Sequence, residues 1–273
     1  MTFILPACLP AAAPDALAGR VVLVTGASDG IGRAVALAAA AHGAEVVLCG
    51  RSVRKLEAVH QQVSAACGER SAMAPLDLEK AVARDYDQLA DAVMARYGRL
   101  DGLVHCAGLL GSLTPLDQYD VPTWCKVLHV NLTATFVLTQ VLLPALRASA
   151  DASVLFTTSG VARHPRAYWG AYAVSKAGVE NLAGVLSAEL QGSSRIRVNT
   201  LNPGPTRTRM RRQAFPSEDL ERLPRPEDIA SAYVALLAPT ARGLDGQRID
   251  CQPSSGAAPS SSASNAASSV ASS

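Results

Sequence analysis

Tyr172 and Lys176 stand four residues apart in a segment whose apolar residues Ala173, Ala177, Leu182, Val185, Leu186 and Leu190 recur at helical spacing. On a helix the two side chains share one face, a turn apart. A phenol ionises near pH ~10 in water, and a neighbouring ammonium favours its anion. The pair thus has the makings of a proton donor or acceptor near neutral pH, with Lys176 expected to lower the pKa of Tyr172. Alone, Tyr-x-x-x-Lys is better explained as an ordinary surface pair, so its meaning depends on the surroundings.

A second chemical signal lies near the start of the chain. An apolar run at 20–25 leads into Gly26-Ala27-Ser28-Asp29-Gly30-Ile31-Gly32, and a helical pattern follows up to Gly43. Strand, glycine-rich turn and helix together aim backbone N–H groups and a helix N-terminus at a phosphate. Next comes an apolar strand at 45–49, ending at Gly50-Arg51-Ser52. In a doubly wound sheet this strand end faces the adenosine ribose, where a carboxylate would select a free 2′-hydroxyl and an arginine a 2′-phosphate. Arg51 therefore points to NADP(H).

Positioning these groups requires an alternating series of elements. Strands are expected at 71–76, 102–106, 153–158, 196–201 and 247–249, separated by helical patterns at 86–97, 117–147, 172–190 and 226–237. Such alternation implies an α/β, doubly wound parallel sheet with helices on both faces. Ligands collect at the C-terminal ends of such strands. There the sequence puts Asp77-Leu78 as an adenine contact, Ala107-Gly108 where a cofactor approaches the backbone, and Ser159. Asn131 lies within a helical pattern, where an amide is locally unfavourable, and so marks a helix distortion serving the site or an internally bonded amide.

Composition narrows the class. The 273 residues carry a formal charge of only +2, with few aromatics, which argues against nucleic acid and anionic membranes as partners. No unbroken apolar run has the length of a membrane span. The six cysteines form no Cys-x-x-Cys pair and no Cys/His ligand spacing, so no metal is expected and a reduced cytoplasm fits. Residues 1–17 read as a loose leader, 18–251 as one domain, and 252–273 as a disordered Ser/Ala-rich tail.

Thr25-Gly26…Gly30-Ile31-Gly32, Asn131, Ser159 and Tyr172…Lys176, in this order, resemble the short-chain dehydrogenase/reductases, and the resemblance spans roughly residues 18–251. Asp77-Leu78 and Pro203-Gly204…Thr208 also match family positions. Trp169-Gly170-Ala171-Tyr172 and residues 207–211 look like a bacterial oxidoreductase subgroup. The resemblance implies a Rossmann-type fold and hydride transfer between nicotinamide and a small carbonyl or alcohol. Tyr172 would be the acid/base and Lys176 its partner, also holding the nicotinamide ribose. Ser159 would bond the substrate oxygen, and Asn131 would hold a water linking Lys176 to solvent. A homodimer or homotetramer is expected. The alternative is a non-catalytic NADP(H)-binding sensor or structural partner.

One departure stands out: His105-Cys106-Ala107-Gly108 replaces the family's Asn-Asn-Ala-Gly, and a weakly bonding thiol is expected to loosen that sheet edge. Residues 205–223 are Arg-rich, and mutual repulsion is expected to hold them open as a lid, with Thr206 and Thr208 facing the cofactor.

Overall fold

Strand residues alternate between two cores. Val22, Val24, Val46 and Leu48 pack into one cluster, while Val21, Leu23, Val47 and Cys49 pack into another on the opposite face. A strand buried on both faces needs the continuous apolar runs seen in the sequence. The computed structural model describes residues 2–4, 12–68 and 71–252.

Its strands are β1 (Thr2–Ile4), β2 (Val21–Thr25), β3 (Glu45–Gly50), β4 (Ala72–Pro75), β5 (Gly102–His105), β6 (Ala152–Thr157), β7 (Ile196–Asn202) and β8 (Arg248–Asp250). They form one sheet in the order β1-β8-β7-β6-β5-β2-β3-β4. Every pairing is parallel. Helices α1 (Gly30–Ala41), α2 (Val53–Cys67) and α8 (Pro226–Leu237) cover one face. Helices α3 (Ala83–Tyr97), α5 (Ala134–Arg147) and α6 (Gly170–Leu190) cover the other. Two shorter helices, α4 (Val121–Leu128) and α7 (Arg209–Ala214), lie nearer the site. The chain leaves β2 first toward β3 and later toward β5, so the crevice above β2 is the switch point of the sheet.

Three expectations need correction. The supposed loose leader contributes Thr2–Ile4 as an edge strand beside Arg248–Asp250, and Leu17 is fully buried in the core. Gln252, expected to open the tail, is instead half-buried and donates from Nε2 to the carbonyls of Pro203 and Pro205, each at 2.8 Å. The rest of the expected tail lies outside the described residues. Third, Val121–Arg147 is one continuous helical run, long and apolar enough by length and composition to cross a membrane. Its inward residues Val130, Ala134, Leu138, Leu142 and Leu146 belong to the sheet's core, which accounts for the composition.

Candidate active site

The turn after β2 leaves no room for side chains. Gly26 has φ +65°, and a Cβ there would sit 2.9 Å from the Ala107 backbone. A Cβ on Gly32 would lie 2.5 Å from the Gly26 carbonyl oxygen, so α1 starts tight against the end of β2. The result is bare backbone facing the crevice at a helix N-terminus, as phosphate binding requires. Within this turn Asp29 uses its side chain as the N-cap of α1, accepting from the Gly30 N–H at 2.9 Å. Ser28 is partly exposed, whereas Ile31 packs on the core and offers only backbone. Thr208 joins them, its methyl lying 3.6 Å from the position of a Gly30 Cβ.

Arg51 is exposed at the end of β3, with no ion-pair partner among the described residues. Asp77 follows β4 and accepts from the Glu79 N–H at 3.2 Å, while the Leu78 side chain is buried in the core. A cleft of about 410 Å³ lined by Met73, Asp77, Lys80, Asp85 and Leu89 adjoins this edge and includes none of the expected catalytic residues.

Cys106 does not loosen the end of β5. Thr25 Oγ1 accepts from the N–H groups of both Cys106 and Ala107, each at 3.1 Å, and ties the loop to β2. The thiol bonds Thr157 Oγ1 at 3.3 Å, which in turn bonds the Tyr233 hydroxyl at 3.0 Å. Burial pushes the Cys106 thiol up to about 11, leaving it protonated and inert.

Asn131 sits in a π-helical turn, His129–Thr133, and is buried. The helix distortion expected at this residue is therefore present, and its amide is also bonded within the protein. Nδ2 donates to the Leu109 carbonyl at 2.9 Å and to Ser175 Oγ at 3.0 Å, while Oδ1 accepts from the Leu109 N–H at 2.7 Å. An unpaired buried amide would cost about 1–3 kcal/mol, and the wider turn avoids that by rotating the side chain onto the loop. Asn131 thereby docks the loop after β5 onto the Tyr172 helix. A Cβ on Gly108 would lie 3.5 Å from Asn131 Oδ1 and 3.8 Å from Lys176 Nζ, so these three residues meet at one point.

Tyr172 and Lys176 both lie on α6 and are buried. Lys176 Nζ donates to the Thr157 carbonyl at 2.8 Å and stands 5.8 Å from the centroid of the Tyr172 ring. Contrary to expectation, the phenol is not made more acidic by this lysine. Burial raises Tyr172 to about 12, and the neighbouring Ser159 hydroxyl acts in the other direction. Burial lowers Lys176 to about 8, with the nearby Cys106 acting in the other direction. Spacing alone could not reveal how much water both groups lose.

The wall beside Tyr172 is apolar, built from Leu110, Val161, Trp169 and Met210. The Trp169 indole lies edge-on to Tyr172 at 5.8 Å and against Phe215 at 5.6 Å. Trp169 follows Tyr168, whose φ of +74° is the only positive value for a non-glycine among the described residues. That strained backbone is held by the Thr114 N–H, which donates to the Tyr168 carbonyl at 3.1 Å.

Above the crevice, Gly204 N–H donates to Asn202 Oδ1 at 3.1 Å and Thr206 Oγ1 donates to the Gly204 carbonyl at 3.1 Å, with Gln252 pinning Pro203 and Pro205 from below. Two of the following arginines are paired with carboxylates, which offsets the expected repulsion. Arg207 pairs with Glu221 at 2.6 Å, and Arg211 forms a fork on Glu218 at 2.5 and 2.6 Å while stacking on Phe215. Sequence reasoning counted the like charges and overlooked the carboxylates interleaved with them. It also missed Thr25 Oγ1, Ser175 and Gln252, whose roles depend on contacts distant in sequence.

Residues 20–219 match the family model for short chain dehydrogenases. The chain is 45% identical over 239 residues to the "uncharacterized oxidoreductase YciK" of Escherichia coli (strain K12), covering 88% of this chain and 94% of that protein. A short-chain-dehydrogenase-type structure from Escherichia coli CFT073, complexed with NADPH, superposes with a TM-score of 0.86 at 45% identity, covering 88% of this chain and 100% of that one. One from Shigella flexneri 2a str. 301, complexed with NADP, has a TM-score of 0.86 at 44% identity, with coverage of 88% and 100%.

Proposed function

We propose, because the chain belongs to the short chain dehydrogenases, that this oxidoreductase interconverts an apolar carbonyl compound and its alcohol using NADP(H), with Tyr172 as proton donor or acceptor. The observation that carries the reading is the convergence of Lys176 with Gly108 and Asn131 at the crevice where the glycine turn meets Ala107, with the Ser159 hydroxyl near enough to Tyr172 to hold its pKa down. Two hydroxyls there can share one substrate oxygen.

The bare turn at 26–32 and the start of α1 fit the pyrophosphate, and the unpaired Arg51 fits a 2′-phosphate. Asp77 and the Leu78 backbone would border the adenine. Ala107, Gly108, Tyr172, Lys176, Pro203, Gly204, Thr206 and Thr208 would hold the nicotinamide half. Bound NADP(H) supplies or accepts the hydride. With its pKa near 12, Tyr172 is protonated at neutral pH and so gives its proton to a reduced carbonyl oxygen. Ser159 orients that oxygen, and Lys176 lends positive charge beneath it. Asn131 keeps Leu109 and Ser175 in place, and the water relay expected of it would have to use atoms other than its bonded amide.

The decisive experiment is a panel of aliphatic ketones, aromatic ketones and sugars, read as NADPH absorbance loss. Reduction confined to the apolar ketones supports the reading, and no turnover on any carbonyl with NADPH or NADH refutes it. The free cysteines at 49, 106, 125 and 251 accord with the reducing cytoplasm this reading assumes.

A homodimer or homotetramer also belongs to the reading. Phe136 on α5 and Val174 and Val185 on α6 are 45%, 49% and 50% exposed. Ala177, Gly184 and Ala188 extend the outer face of α6, which is built mostly of small residues and carries Asn181 and, near its end, Glu189. Such a face buries well against its own copy. Sedimentation velocity at micromolar concentration should show a dimer or larger, and a lone monomer would overturn it.

A further inference from the structure

Ser159 follows the end of β6 and precedes the short 3₁₀ turn Gly160–Ala162. Both flanks of this segment are fastened to one buried carboxylate. Thr158 Oγ1 donates to Glu180 Oε1 at 2.9 Å, and Arg163 Nε donates to the same oxygen at 3.2 Å. Glu180 lies on α6 at the position reached by stepping four residues from Tyr172 to Lys176 and four again, so the three share a helix face. The guanidinium of Arg163 continues as a fork onto Asp250, at 3.1 and 2.8 Å. Asn202 Nδ2 also donates to Asp250 Oδ1 at 2.8 Å, while its own Oδ1 receives the Gly204 N–H.

We propose that Arg163, Glu180 and Asp250 form an ionic clamp that sets the Ser159 hydroxyl against the Tyr172 phenol, which makes Arg163 and Glu180 positioning residues. The proposal rests on the reaction assigned above. Buried ion pairs contribute little net stability compared with apolar packing, so stability alone is a poor reason for this cluster. A planar fork does fix direction, which a point charge such as lysine does not. Here the fixed object is the four-residue bridge between Thr158 and Arg163, with Ser159 at its start. Because Asp250 and Asn202 share the network, the same clamp also holds the base of the Pro203-Gly204 loop.

The test needs no substrate. With tyrosine ring carbons labelled, the Tyr172 signal is identified by its loss in Tyr172→Phe, and Ser159→Ala shows how that signal moves when the hydroxyl partner is gone. Glu180→Gln and Arg163→Lys should move it in the same direction, and Glu180→Gln should add little in the Ser159→Ala background. On any ketone the enzyme reduces, both variants should lose roughly 10- to 100-fold in kcat with KM for NADPH little changed. An unmoved Tyr172 signal in both variants, or a shift that adds in full to that of Ser159→Ala, overturns the clamp. If Glu180→Gln does not fold, the same reading is taken from Arg163→Lys, which keeps the charge. Retained turnover in Tyr172→Phe would instead refute the reaction itself, so the two failures are distinguishable.

Discussion

Tyr172→Phe is expected to lower turnover by about 10²–10⁴-fold, the range general acid catalysis supplies, while NADPH binding stays nearly intact. The substitution removes one hydroxyl from a buried ring and leaves the packing against Trp169 unchanged in volume. Lys176→Ala should damage binding and turnover together, since its ammonium meets both the Thr157 carbonyl and the crevice. The pH dependence has a definite sign. In the proposed mechanism reduction needs the phenol protonated, and burial holds Tyr172 at about 12, so the phenol itself would not limit the rate near neutrality. Lys176, lowered to about 8, loses its charge as pH rises through that value, so carbonyl reduction should begin to fall there. In Ser159→Ala the hydroxyl that lowers the Tyr172 pKa is lost, so the phenol should titrate at still higher pH. Steady-state rates from pH 6 to 10 on one reduced ketone check the fall assigned to Lys176, and the carbon-labelled tyrosine signal of Ser159→Ala at alkaline pH checks the phenol. Wild-type rates in Tyr172→Phe would sink the mechanism.

Arg51→Ala should cost about 10- to 100-fold in NADPH affinity and leave NADH affinity nearly unchanged. The estimate follows from ~1.5–3 kcal/mol for a charge-assisted contact, at ~1.4 kcal/mol per factor of ten. Arg51 has no carboxylate to release, so its whole cationic field is available to a phosphate. Titrating both cofactors into both proteins by fluorescence is the measurement. Equal wild-type affinities for NADPH and NADH would remove the basis for the preference.

The glycine turn, the Tyr172–Lys176 pair and the alternation of strands and helices could all be read from the sequence because each is a local pattern. Glu180 was within reach of the same logic, since it continues the Tyr172–Lys176 face. Its partners were not, because Arg163 and Asp250 meet across 87 residues and no local spacing encodes that contact. Gln252 was misjudged for a related reason: its neighbours in sequence are tail-like, whereas its neighbours in space are Pro203 and Pro205. The pKa of Tyr172 was misjudged because a helical wheel gives the distance to a charge but not the loss of water around it.

The π-helical turn at His129–Thr133 has a consequence for helical phase. Such a turn contains one residue more than an α-helical turn, and each residue advances a helix by about 100°. Deleting any one residue of the turn would restore a regular helix and rotate Leu138 and Leu142 off the sheet. Insertions and deletions, far more than substitutions, are thus what this part of the chain cannot absorb.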